Sequence, residues 1–309
     1  MFEAARRNSR ERIFLRRSIR VIVNPVSGRR RRADFVTRLV AGWRSAGADV
    51  RVSHTAGPGD ARCLAADLPA ETELLAVVGG DGTVNEALAG LNRRRLPLLV
   101  VPGGTENLLA EYLQMPRTAE RLVVSGLNGA AVNFDLGLAG GRPFHSVSGV
   151  GFDAQVVREF VRRRRGHVSH WSYIVPLGRT FRSWHWPRLS VEIDGRPAFD
   201  GPGLVFVGNT PRYALGLRIL REARPDDGLL DVCVYPCASR SRLLWWSAWT
   251  LFRGHVGRRG LLYRRATRLR VSSDRPVPVE IDGEPHGTTP VEYEVLPAVA
   301  QLIAAPRPQ

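Results

Sequence analysis

One carboxylate stands inside a run of glycines, in Gly79-Gly80-Asp81-Gly82-Thr83. Residue types in this pattern suit phosphate. Without Cβ atoms the backbone can come close to phosphoryl oxygens. A helix that starts here adds free N–H groups and the positive end of its dipole. A carboxylate in such a place repels phosphate unless a divalent cation lies between them. Asp81 is therefore the first candidate for a metal-linked or catalytic acid. The alternative is a tight turn in which Asp81 caps a helix. The elements that must position this turn are legible on either side of it. Residues 74–78 are apolar and branched, as in a fully buried strand. From Val84 the apolar residues Val84, Ala87, Leu88 and Leu91 recur at helix spacing.

The same grammar recurs through the first third of the chain. A strand over 19–23 ends in Asn24-Pro25-Val26-Ser27-Gly28 and four Arg, with a helix over 33–45. A strand over 48–53 leads into His54-Thr55-Ala56-Gly57-Pro58-Gly59-Asp60 and a helix over 60–66. A strand over 96–101 ends in Pro102-Gly103-Gly104-Thr105-Glu106-Asn107, followed by a helix to about residue 112. Alternation of β and α predicts a parallel, doubly wound sheet. Ligands of such sheets bind beyond the carboxyl ends of the strands. Several glycine-bearing turns at those ends point to one nucleotide-type site.

Beyond about residue 130 short strands take over: 131–135, 143–147, 189–193, 204–208, 230–235, 269–272 and 277–281. They predict a β-sandwich or barrel-like unit. Within it the chain repeats itself, with Val191-Glu192-Ile193-Asp194-Gly195-Arg196-Pro197 echoed by Val279-Glu280-Ile281-Asp282-Gly283-Glu284-Pro285. Asp-Gly after a β-rich run signals a hairpin, which accounts for both copies. Only the additional carboxylate of Glu284, where the first copy has Arg196, favours the second as the chemical one.

Composition bounds the partners. All 45 basic residues are Arg and the formal charge is +16, which favours anionic surfaces: nucleotide, nucleic acid or acidic lipid. Cys63, Cys233 and Cys237 show no metal spacing and read as reduced and unpaired. The charged first residues do not read as a secretory signal, and no apolar run reaches the roughly 20 residues of a membrane span. Residues 1–18 read as a basic arm, with Phe14 and Leu15 able to tuck onto the body. Two segments set Trp beside Arg. The run from Arg162 to Arg165 precedes Trp171, Tyr173, Trp184 and Trp186, and a helix over 242–252 carries Trp245, Trp246 and Trp249. Such segments suit a membrane interface, or they fill the seam between domains.

Taken together, Asn24 to Gly28, Gly79 to Thr83, Gly103 to Asn107, Val207-Gly208-Asn209-Thr210 with Asp226 to Val232, and Asp282-Gly283-Glu284 resemble the diacylglycerol kinase catalytic-domain family, which includes sphingosine kinases and bacterial lipid kinases. The resemblance spans residues 19–290. It implies an N-terminal α/β nucleotide domain (19–134, with 291–309 returning to it) and a C-terminal β-sandwich (135–290), with ATP between them. It implies transfer of the γ-phosphoryl group to a lipid hydroxyl. Asn24, Pro25, Ser27, Gly28, Thr55, Gly79, Gly80, Asp81, Gly82, Thr83, Asn85, Glu86, Thr105, Asn107 and Glu284 are then the expected nucleotide-binding residues. Asp282 matches the general base, with Asp81 as the alternative, beside the phosphates and Mg²⁺. Asp227 and the Leu229 carbonyl match a structural metal site. A cytoplasmic protein held peripherally on an anionic membrane surface follows, with no nucleic acid expected and a homodimer left open.

Three positions depart from the family pattern. Leu108 and Glu111 stand where many bacterial members have Asp and Arg, and Ser146 stands where Asn is frequent. The glycine turn around Asp81 is shared with NAD kinases and phosphofructokinases. An NAD kinase-like phosphotransferase and a non-catalytic binder of anionic lipid or nucleic acid are the alternatives at this stage.

Overall fold

The computed structural model describes residues 15–27, 32–92, 94–104, 107–163 and 174–305. Gly28, Thr105, the first fourteen residues of the basic arm, Arg164, Arg165, Trp171 and Tyr173 lie outside the described residues. At the end of that arm Leu15 is exposed. It is Arg16 that docks, donating to the carbonyls of Gly126 and Gly129 at 3.1 and 2.9 Å.

The first half is a parallel sheet ordered β2(Asp49–His54), β1(Ser18–Val23), β3(Leu74–Gly79), β4(Pro97–Pro102). β3 is buried along its whole length, which is why its sequence is an unbroken apolar run. Helices α1(Arg32–Ser45) and α5(Ala119–Asn128) pack together, as do α2(Asp60–Ala66) and α3(Asp81–Leu91). The chain reverses direction across the sheet between β1 and β3, the switch point of a doubly wound fold. α3 begins at Asp81 rather than at Val84. Apolar spacing cannot mark that first turn, because Gly82 and Thr83 fill it.

The second half is antiparallel and runs from β5(Ala131–Ala139) to β14(Glu284–Thr288). Its core lies between strand faces around Val191, Val205, Val232, Val271 and Ile281. A further apolar cluster fills the space between Phe206, Cys233 and Tyr235 and the helices α6(Phe152–Arg163), α7(Ile174–Ser183) and α8(Arg240–Leu251). α8 falls where a helix is expected over 242–252, whereas α6 and α7 stand where no helix is expected. The signal for α6 was there, in buried Phe152, Val156, Val157 and Phe160 at helical spacing. The expected strand over 143–147 is broken into β6(Arg142–Phe144) and β7(Val147–Val150). The N–H groups of His145 and Ser146 are turned toward a side chain instead of a neighbouring strand.

Two long strands knit the molecule. β9(Arg196–Gly208) pairs with β8(Arg188–Ile193) through its first half, and with β7 and β10(Leu230–Pro236) through its second. β15(Val291–Ile303) pairs with β12(Arg268–Ser273), then irregularly with β5, and ends parallel to β4 through Gln301 and Leu302. The irregularity in β15 lies between Leu296 and Ala300 and carries Ala298 at φ +51°. Buried Asp135 holds it, accepting from Ala298 N and from Gly228 N at 2.7 Å each. Replacing Asp135 by Ala would strand two backbone donors, and we expect a loss of about 2–4 kcal/mol in urea unfolding. An unchanged midpoint would show that these bonds do not hold the strand.

Candidate active site

Asn24, at the end of β1, folds its own turn. Its Oδ1 accepts from Val26 N at 3.1 Å, and its carbonyl accepts from Ser27 Oγ at 2.9 Å. Its Nδ2 donates to Thr83 Oγ1 at 2.9 Å, across the β1–β3 switch point. Thr55 is buried at the end of β2, its N–H on the carbonyl of Val23. Glu86 reaches the next loop, accepting from Gly59 N at 2.9 Å. Asn85 is buried, and its Oδ1 has no hydrogen-bond partner among the described residues.

Gly80 and Gly104 meet backbone to backbone. A Cβ on Gly104 would lie 2.6 Å from Gly80 Cα, and one on Gly80 would lie 3.2 Å from Gly104 Cα. The two turns touch only because both are glycine. Asn107, at φ +55°, closes the second turn, its Oδ1 accepting from Gly103 N at 2.8 Å and Gly104 N at 2.5 Å.

Asp81 does not point into open space. Its two carboxylate oxygens accept from Leu108 N at 3.0 Å and Leu109 N at 3.2 Å, capping α4(Leu108–Tyr112). It is a helix cap, but of a different helix from the one it opens. α3, whose first residue is Asp81, has no side-chain cap of its own.

The second half closes over these turns. The Asp282-Gly283 hairpin has both residues at positive φ, +49° and +79°, and so does its echo, Asp194 and Gly195, at +47° and +77°. The two copies form the same turn in different surroundings. Asp194 is a surface residue that accepts from Thr267 N and Arg268 N. The Asp282 side chain is buried, accepting from His145 N and Ser146 N at 3.0 Å and from Val147 N at 3.1 Å. His145 Nε2 lies 3.8 Å from Asp282 Oδ2 and 3.5 Å from the carbonyl oxygen of Asp81. One imidazole thus stands between the Asp282 carboxylate and the main chain at Asp81. Glu284 pairs with Arg142, and its Oε1 lies 3.4 Å from where a Cβ of Gly82 would be.

A profile of the Diacylglycerol kinase catalytic domain matches residues 18–139, and one of the YegS C-terminal NAD kinase beta sandwich-like domain matches residues 146–304. A diacylglycerol kinase of Mycobacterium tuberculosis is 30% identical over 296 residues, covering 92% of this chain and 94% of that protein. The chain belongs to the diacylglycerol kinase catalytic-domain family. A diacylglycerol kinase of Bacillus subtilis is 25% identical over 279 residues, covering 89% and 92% of the two chains. In fold, this kinase-family chain matches the crystal structure of a diacylglycerol kinase from Bacillus anthracis with a TM-score of 0.71, at 21% identity over 94% of this chain and 98% of that one. A second structure from the same organism gives 0.75 at 24% identity, over the same shares.

Not every expected residue joins the cluster in this kinase. Asp227 accepts from its own neighbour Leu229 N at 3.1 Å and lies 4.0 Å from Arg265, whose guanidinium also faces Glu222 and Asp231. Among the described residues no group of three or more His, Cys, Asp or Glu could hold a metal ion. Glu111 forms an ion pair with Arg212 and lies 3.8 Å from Arg117.

Sequence reasoning missed His145, Arg142 and Arg212, whose partners lie 137, 142 and 101 residues away. It also missed a buried acid pair beneath the hairpin, Asp153 and Glu280. Burial pushes Asp153 up to about 6, against the Tyr213 hydroxyl that donates to it at 2.6 Å. Burial and the charge of Asp153 raise Glu280 well above the ordinary carboxylate range, while Glu280 accepts from Gly283 N at 2.7 Å. Burial likewise raises Asp282, opposed by His145 and the three N–H groups. Folded values above the unfolded ones mean stability that is full at low pH and lost as pH rises through the raised values. Asp153→Asn should therefore raise the melting temperature by a few degrees at pH 8 and much less at pH 5. An equal shift at both would refute the raised proton affinity of this acid pair.

Proposed function

We propose that this chain is an ATP-dependent lipid kinase that transfers the γ-phosphoryl group of MgATP to a lipid hydroxyl of the diacylglycerol or sphingoid type. One observation carries the proposal. Four segments distant in sequence are joined at one edge, through Asn24 to Thr83, Gly80 to Gly104, and Gly82 to Glu284. The names of the relatives support a lipid acceptor.

In this reading the backbone of residues 24–28 and 79–83, with Thr55, Asn85, Glu86, Thr105, Asn107 and Glu284, surrounds the nucleotide. The uncapped start of α3 supplies donors to phosphate. Magnesium arrives with the nucleotide as part of the substrate. Asp81 shapes the floor by fixing α4 against the first glycine turn. Asp282 takes the proton of the acceptor hydroxyl as that oxygen bonds to the γ-phosphorus and the bond to ADP breaks. Its raised proton affinity fits the task. Asp282 is covered, its side chain 3% exposed with His145 against it. Proton transfer therefore requires His145 to move aside or to carry the proton. No helix among the described residues is long and apolar enough to cross a membrane. The proposed site of action is the cytoplasmic face of a bilayer, reached peripherally.

Gly80→Val should abolish nucleotide binding in calorimetry, since the side chain would force apart turns that meet at Gly104. Unchanged affinity would contradict the phosphate cradle. Asp282→Asn should keep nucleotide affinity and lower lipid phosphorylation by about a hundredfold or more, removing the acid limb of the pH–rate profile. Parental turnover on a lipid extract with labelled ATP would discard the base assignment.

A further inference from the structure

α8 is apolar on two sides. Its inner face seats Leu243, Trp246 and Thr250, with Trp246 Nε1 donating to the carbonyl of Pro236 at 2.9 Å. Its outer face carries Leu244, Trp245, Ala248 and Leu251, continued by Phe252 just past the end. These recur at the spacing of one helical stripe. They face solvent, with Leu244 60%, Leu251 66% and Phe252 78% exposed. The Trp cluster therefore divides: Trp246 fills the core, and Trp245 looks outward.

Charge selects what this stripe meets. From Val232 to Ser273 the chain contains nine Arg and no Asp or Glu. Arg253, directly after the stripe, and Arg259, six residues on, are both exposed. Arg242 lies 4.3 Å over the ring of Trp245, and Arg258 lies over Trp249. Arg240 ties α8 to α7 through the carbonyls of Phe181 and Arg182, and α7 in turn exposes Ile174, Val175 and Leu177. A two-fold contact between copies would bring two Arg-rich faces together, which like charges oppose. An anionic bilayer matches both features at once.

We propose that the outward face of α8 docks on a bilayer containing anionic lipid, its apolar stripe entering the boundary between headgroups and acyl chains while Arg253 and Arg259 contact lipid phosphates. This deepens the lipid-kinase reading by naming the surface that meets the substrate's membrane. Its test uses no nucleotide, so the two can fail separately.

The full chain is sedimented with vesicles of phosphatidylcholine alone and with vesicles of about one-third phosphatidylglycerol. We expect binding to the second, weakened by salt, and a blue shift of Trp emission that Trp245→Phe diminishes. Leu251→Glu combined with Phe252→Glu should lower partitioning at least about tenfold, with melting temperature and nucleotide affinity unchanged. Arg253→Gln with Arg259→Gln should reduce binding less and flatten its salt dependence. The proposal is overturned if the Glu double variant binds as the parent does, or if binding ignores lipid charge. It is equally overturned if the parent is a dimer that the Glu substitutions dissociate, which would assign the stripe to a second copy. Vesicle binding without any lipid phosphorylation would overturn the kinase reading and leave the docking surface standing.

Discussion

A carboxylate all but shut off from water must find its hydrogen bonds in the protein, and Asp282 finds three in consecutive residues, His145, Ser146 and Val147. Much of the site follows from that demand. The three donors cannot also serve a regular strand, so the chain breaks between β6 and β7. The break sets His145 between Asp282 and the carbonyl of Asp81. The hairpin so fixed holds Glu284 beside Gly82, and Arg142 closes over it from β6. Glu280 supports the same hairpin from below, at the cost of a buried acid pair with Asp153. A surface hairpin of the same local sequence, at Asp194, meets its hydrogen-bond needs without organising anything comparable.

The turns of one half could not hold their place against the hairpin of the other if the halves were loosely joined. β15 makes them one piece, beginning beside β12 and ending beside β4. The change of partner requires the irregular stretch at Ala298, and Asp135 binds that stretch and the 225–228 turn together. The glycine turns of the first half then lie in a fixed relation to the hairpin of the second. Geometry of this kind is what positioning catalysis of phosphoryl transfer demands.

Two of the three departures from the family pattern, Glu111 and Ser146, have local partners. Glu111, standing where many bacterial members have a basic residue, pairs with Arg212 from the segment after β9, so opposite charges meet across the two halves with the acid on the first. Ser146 donates its backbone N–H to Asp282, and its hydroxyl lies 2.8 Å from Thr210 Oγ1. The Glu111–Arg212 pair bridges the halves, whereas Ser146 ties together segments within the second.

The alternation of strands and helices, the glycine turns at the strand ends and the β-rich second half were all legible in the order of residues. They rest on local rules: buried parallel strands need apolar runs, and turns that approach a ligand or another backbone need glycine. Even the α6 helix left its periodicity in the chain. Tertiary structure alone decided which of two near-identical hairpins has its Asp side chain buried, that Asp81 caps α4, that His145 lies between the Asp282 carboxylate and the Asp81 carbonyl, and which Trp of α8 faces water. Each depends on contacts between residues far apart along the chain, whose strength comes from desolvation and mutual geometry, and neither quantity is written in spacing or composition.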